Sequence, residues 1–196
     1  MSVKIFDDIL RKGLRENKVP LKNAASINWY RNAGKELRGI NENKLMNADK
    51  NRLVSRPEIG DCYLFRYDPK YKDTLPYYDE CPLIFPFSIE KDSFLALNLH
   101  YINPQDRAKL MNLLYTTKNN ENLNNQTKLI LSYKILQGLS QTKYYRPCVK
   151  RYLYSHLQSK FMEIRPREWD MILWMSVAKW KKRTGNYIYS QSSKKY

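Results

Sequence analysis

Between Gly60 and Tyr101 the apolar residues of this chain change period, and that change limits the fold more than any other feature. Tyr63, Phe65 and Tyr67 alternate with Cys62, Leu64 and Arg66, the run LIFPF follows at 83–87, and Leu95, Leu97, Leu99 and Tyr101 then alternate with Phe94, Ala96, Asn98 and His100. Successive side chains on a strand point to opposite faces, so a two-residue period marks strands. Three of them close in sequence predict a small antiparallel sheet or a partly open barrel. Pro86 has no N–H to give to a ladder, so its strand is expected to be an edge strand or to carry a bulge.

On both sides of this block the spacing is helical. Val3, Phe6, Ile9, Leu10 and Leu14 predict an amphipathic helix that ends before Pro20. A second helix is expected over residues 24–37, with Ala25, Trp29, Ala33 and Leu37 as its apolar set and Gly39 as its stop, and a short one within 40–56. Asn103-Pro104-Gln105-Asp106 joins an N-cap residue, a proline at the first helical position and an acid where the helix dipole favours one, so a helix to about Tyr115 should bury Leu110, Met111 and Leu114. After the polar run KNNENLNNQ (118–126), an exposed connection, three more helical segments are predicted. They carry Leu129, Ile130, Tyr133 and Leu136; then Val149, Tyr152, Leu153, His156, Leu157 and Phe161 after Pro147; then Trp169, Ile172 and Leu173 after Pro166.

The expected fold class is therefore α+β, a small central antiparallel sheet or partly open barrel packed by N-terminal and C-terminal helices. The chain divides into a basic helical arm (1–56), a β-rich centre with its following helix (57–116), a basic helical segment (117–184) and a tail (185–196) with no core-filling periodicity, expected to be mobile unless a partner orders it.

Charge follows the same division. The net charge of +16 is made of 13 basic against 6 acidic residues in 1–56, 6 against 9 in 57–116, and 16 against 4 in 117–196. Two cationic arms around an acidic middle point to a polyanion, since neutralising phosphates releases condensed counterions without any reading of sequence. In the C-terminal arm the cations alternate with aromatic residues, the combination that holds phosphates while stacking exposed bases. Candidate DNA contacts are Lys143, Arg146, Lys150, Arg151, Lys160, Arg165, Arg167, Lys181, Lys182 and Arg183, with Trp180 as a stacking plate. Tyr71, Pro76, Tyr77 and Tyr78, in a turn-rich loop of the acidic middle, are candidates for a protein interface. A membrane partner is not expected, because no apolar run is long enough to span one and the arms lack a strongly apolar face.

Other chemistries find little support. Glu58 and Asp68-Pro69-Lys70 loosely imitate a metal-dependent nuclease site, but Asp-Pro after a strand is ordinary turn chemistry. Cys62, Cys81 and Cys148 lie in no metal-ligand spacing and read as buried thiols; His100 and His156 have no ligand partner at suitable spacing. No glycine-rich phosphate loop occurs, and the N-terminal segment lacks the apolar run of a secretory signal. The sequence assigns no catalytic residue, metal or cofactor.

Three segments carry a family likeness: YLFRYDPKYKDTLPYYDECPLIFPF (63–87), LNLHYINPQDRAKLMNLLY (97–115) and YRPCVKRYLYSHLQSKFMEIRPREWD (145–170), supported by RKGLRENKVP (11–20) and NWYRNAGKELR (28–38). They resemble the DNA end protector or head-completion proteins of T-even-type myophages, including those of marine cyanobacteria. The resemblance implies a non-enzymatic virion protein of low copy number that acts on the filled head near the portal or neck. It would cap the end of the packaged double-stranded DNA, shield it from exonuclease and meet portal, neck or tail proteins. A neck, tail or baseplate component that binds only protein is the alternative.

Overall fold

The structure is a computed structural model that describes residues 5–20, 23–37, 42–118, 120–142 and 145–194. Its elements are α1 (Ile5–Arg15), α2 (Ala24–Glu36), α3 (Glu42–Ala48), β1 (Leu53–Val54), β2 (Cys62–Leu64), β3 (Tyr78–Asp79), β4 (Leu83–Ile89), β5 (Ser93–Asn98), α4 (Pro104–Lys118), α5 (Asn125–Gln141), β6 (Val149–Leu153), β7 (Phe161–Ile164), α6 (Trp169–Ile172), β8 (Trp180–Lys181) and α7 (Gly185–Lys194). The α+β expectation holds: helices from both ends of the chain pack on an antiparallel sheet of order β1-β7-β2-β4-β5-β6.

The three strands read from the two-residue period are the middle of that sheet. Pro86 does not lie on an edge, because β4 pairs with β2 on one side and β5 on the other. The ladder bulges there instead: the register with β5 shifts between Pro86 and Ser88, and the Pro86 carbonyl accepts the Gly60 N–H at 3.1 Å.

Two strands come from the segment expected to be helical after Pro147. Val149, Tyr152, Leu153, His156 and Leu157 fit a helical spacing, yet residues 149–153 pair along β5 from Leu97↔Val149 to Ser93↔Leu153. Lys150 and Tyr152 then share one face and Val149, Arg151 and Leu153 the other. Pairing with a formed neighbour strand overrides a local period that two readings can share.

The sheet is strongly curled. Phe94 on β5 and Phe161 on β7 are separated by β4 and β2, three strand spacings or about 14 Å in a flat sheet. Their ring centroids are 5.5 Å apart. Phe65 meets Phe94, Tyr152 and Phe161 at 6.0, 5.3 and 4.8 Å, so the inner face is closed by its own rings. A bridge between Tyr67 and Leu157 continues the curl beyond β2 without closing a barrel.

Helices cover the outer face. Leu83, Phe85 and Leu97 meet Trp169, Leu110, Met111 and Leu114 there, with Cys62 and Cys148 buried among them. Burial pushes the Cys148 thiol up to about 12 and also raises that of Cys62 well above its ordinary value, as the reading of buried thiols requires. On this side Arg52 makes a two-pronged ion pair with Glu168 at 2.6 and 2.8 Å, both side chains buried.

Two helices present a different face from the one expected. α2 buries Ser26, Tyr30 and Gly34 in place of Ala25 and Ala33. The Tyr30 hydroxyl donates to the Lys18 carbonyl at 2.8 Å, and Gly34 lies against the Met171 carbonyl, where any Cβ would overlap it. A glycine gives a closer helix approach than alanine allows. α5 buries Ser132, Leu136 and Ser140, leaving Leu129 and Ile130 exposed. The tail is not without packing: α7 buries Ile188, and its Tyr189 hydroxyl accepts from Arg107 at 2.6 Å.

Candidate nucleic-acid interface

Past Tyr67 the chain leaves the curled sheet in a loop that returns at β3. The turn is set locally, with Leu75 N–H donating to the Tyr71 carbonyl at 3.0 Å and Lys72 bonding Asp68 at 2.9 and 3.0 Å. It is also tied from a distance. Lys182, next to β8 and in the left-handed region (φ 68°), donates from Nζ to the carbonyls of Lys72, Asp73 and Leu75 at 2.7, 2.9 and 2.8 Å. An ammonium carries three donors, and here each meets a loop carbonyl.

Between this loop and β6, at the open mouth of the curled sheet, lies a cleft of about 640 Å³. Buried Tyr67, Asn98, Tyr101 and Tyr152 form its floor; Tyr71, Pro76, Tyr77 and Tyr78 come from the loop, and Lys150 and Arg151 from β6. Two of the floor phenols accept internal hydrogen bonds, Tyr67 from the Leu153 N–H at 3.1 Å and Tyr152 from Asn98 at 3.0 Å. Burial raises the pKa of both, which keeps them neutral. The cleft therefore offers ring faces more than free polar groups.

Its electrostatics are cationic at the rim. Lys150 Nζ lies 4.1 Å from the centre of the Tyr101 ring and Lys70 Nζ 5.4 Å from that of Tyr71, both within cation–π range. Arg151 reaches Glu90 at 2.9 Å with its side chain still 56% exposed. The one carboxylate in the lining, Asp79, is buried and fully occupied: His100 Nδ1 donates to one oxygen at 2.6 Å, and the Cys81 and Lys179 amides donate to the other at 3.0 Å. Burial alone would raise the Asp79 carboxyl, but attraction to His100 and these hydrogen bonds hold it below the ordinary carboxylate range.

The expected DNA contacts do not gather in one place. Lys150 and Arg151 line the cleft, and Arg146 is exposed on the turn that leads into β6. Lys160 is exposed between β6 and β7. Arg165 and Arg167 are exposed beside α6, where Arg167 lies 3.9 Å from Asp7 of α1. Lys181 sits 3.5 Å from Glu80, and Arg183 lies over the Tyr187 ring at 5.2 Å. Lys182 is engaged by the loop carbonyls. Trp180 is half-buried with its ring edge-on to Tyr101 at 4.8 Å, so it packs within the protein. Lys143 lies outside the described residues.

Tyr71, Pro76, Tyr77 and Tyr78, expected to form a separate protein interface, line the same cleft as Lys150 and Arg151. Sequence reasoning missed Tyr67, Lys70, Asn98 and Tyr101 as site residues. The alternation Tyr63, Phe65, Tyr67 places Tyr67 on the inner face, but only the curl brings that face to β6. Of the nuclease-like acids, Asp68 pairs through its carboxylate with Lys72, and its backbone carbonyl accepts from His156 Nδ1 at 2.9 Å. Among the described residues no helix is long and apolar enough to cross a membrane.

Comparison with known proteins gives one result. No curated protein and no solved structure matches the chain. Residues 3–196 match the family described as Phage T4 terminal DNA protecting protein. That match spans nearly the whole sequence, and with it the chain belongs to the family of phage proteins that protect the DNA terminus.

Proposed function

We propose that the protein is a non-enzymatic virion component that binds the end of the packaged DNA near the portal or neck, completes the head and shields the end from exonuclease. The observation that carries this reading is the cation-rimmed aromatic cleft in a member of a DNA-terminus-protecting family. Lys70, Lys150 and Arg151 supply charge for phosphates, and the tyrosines supply faces for bases exposed at an end. Arg146, Lys160 and Arg183 are separate cations outside the cleft that would meet phosphates of the flanking duplex, contacts that position DNA without reading its sequence.

A structural neck, tail or baseplate role that involves protein alone is the second reading. Exposed Leu113, Leu129 and Ile130 on the adjacent helices α4 and α5 favour it, because exposed apolar side chains suit a protein neighbour. The two readings part on one assay. Linear duplex and a covalently closed minicircle of the same sequence are compared at matched salt, and the linear form is then challenged with exonuclease. The first reading expects tighter binding to the linear form and slower digestion; equal affinity for both forms with no protection supports the second.

A further inference from the structure

We infer that the cleft between the 69–78 loop and β6 is a site for a single unpaired nucleotide at the DNA terminus, its base held against tyrosine rings and its phosphate by the rim cations. The inference rests on the proposed binding of DNA ends and names what part of the end is held.

Size is the first argument. A volume of about 640 Å³ falls within the roughly 300–1,000 Å³ of small-ligand sites. A duplex, whose major groove alone is about 12 Å wide, cannot enter such a cleft. A splayed nucleotide can, as extruded bases do in enzymes that unstack them.

Chemistry is the second. Tyr67 and Tyr152 are buried floor with their hydroxyls turned to internal partners, and exposed Tyr71 with half-buried Tyr77 and Tyr78 supply the ring surface that stacks any base alike. The cleft thus suits a terminus of arbitrary sequence, since direct discrimination of bases needs placed donors and acceptors. Charge is the third argument: Lys70, Lys150 and Arg151 put three cations at the rim, Arg151 also pairing with Glu90 at 2.9 Å, while the lining carboxylate of Asp79 is filled by His100 and two amides. A phosphate fits that rim better than a basic or neutral peptide.

Preorganisation is the fourth. The Lys182 clamp fixes the tyrosine-bearing loop before any ligand arrives, which lowers the ordering cost of binding. Lys182 is then a positioning residue and not a phosphate contact.

The test uses duplexes capped at one end by a hairpin and ending at the other in a blunt terminus, a short single-stranded tail, or the same tail with abasic sites. The minicircle is the control. Fluorescence anisotropy should show the tailed end bound about 5- to 150-fold more tightly than the blunt end, with the gain removed by abasic sites and insensitive to which base is present. Tyr71→Ser, an exposed position, and Lys182→Met should shrink the ratio of tailed-end to blunt-end affinity. The abasic arm uses the unaltered protein, so it decides even where a variant fails to fold.

Equal affinity for blunt and tailed ends, both above the minicircle, would overturn the nucleotide site and leave end binding standing. No preference for any end over the minicircle would remove end binding itself. Displacement of the tail by a free deoxynucleoside monophosphate of equal affinity would assign the cleft to a soluble nucleotide, and loss of tail binding to a tyrosine-rich or acidic peptide would assign it to a protein partner; either result overturns the inference.

Discussion

The two faces of the curled sheet are built on different principles. The outer face is mixed aliphatic and aromatic, with Leu83, Phe85, Leu97 and Ile164 under helices whose Trp169, Met171 and Ile172 fill the grooves. Among the described residues no α-helix covers the inner face, which is closed by Tyr63, Phe65, Tyr67, Phe94, Tyr152 and Phe161 packed on one another. Helices can be added to a flat sheet, whereas a face that covers itself must bend until its own rings meet. The bend that satisfies the inner face also leaves a mouth, and the cleft lies there with Tyr67 and Tyr152 as floor. In this molecule a helix-covered core on one side and an open cleft on the other come from the same strands.

The largest expected effect breaks each face in turn. Phe65 and Trp169 are both almost fully buried, and replacing either by Ala should cost about 3–5 kcal/mol in denaturant unfolding. The equality ends at function. Phe65 supports Tyr67 and Tyr152 by direct ring contacts at 6.2 and 5.3 Å, so Phe65→Ala should also reduce tail-specific DNA binding of the folded fraction. Trp169→Ala should leave that preference intact. Loss of preference in both variants would show that the cleft depends on global stability and not on the inner face.

A smaller effect separates two buried carboxylates. Asp79, beside the cleft, has its carboxyl held down; Asp170, in α6 and paired with Arg31 at 2.8 Å, has its carboxyl raised because burial outweighs the pairing. Their linkage to folding has opposite signs. The Asp79 contribution is present above the unfolded value of 3.8 and fades as pH falls through its lower folded value. The Asp170 contribution is present below 3.8 and fades as pH rises through its higher folded value. Unfolding free energies measured between about pH 2 and 6 should therefore rise less with pH in Asp79→Asn and more steeply in Asp170→Asn than in the unaltered protein. The same slope in all three would contradict the assignment.

The central strands were legible from the alternation that begins at Cys62 and at Phe94, although β2 ends at Leu64, β5 ends at Asn98 and residues 99–101 close into a helical turn. The α4 start was legible because Asn103, Pro104 and Asp106 each have one local role, with Asn103 accepting the Asp106 N–H at 3.0 Å. β6 was not, since residues 149–157 satisfy two periods and only the ladder with β5 chooses between them. The α2 face was misread for a related reason: hydrophobicity selects Ala25 and Ala33, while the geometry of a close approach selects Gly34. Of the site, both halves were legible and their union was not. Tyr71 to Tyr78 and Lys150–Arg151 are separated by the whole of β4, β5, α4 and α5, and the curl that joins them is a property of packed rings. Composition also cannot tell a phosphate-binding lysine from one that clamps a loop, which is why Lys182 and the half-buried Trp180 stood beside true rim residues.

The most direct test of the account is photocrosslinking from the DNA. A tailed duplex carrying 5-iododeoxyuridine either in the terminal tail or at an internal position is bound and irradiated, and the adducts are mapped by mass spectrometry. The account predicts that the terminal label attaches to residues of the cleft, Tyr67, Tyr71, Tyr77, Tyr101 or Tyr152, while the internal label attaches weakly and only along the cationic surface outside it. Terminal adducts on the Arg165–Arg167 surface, or equal yields from both labels with none in the cleft, would contradict it.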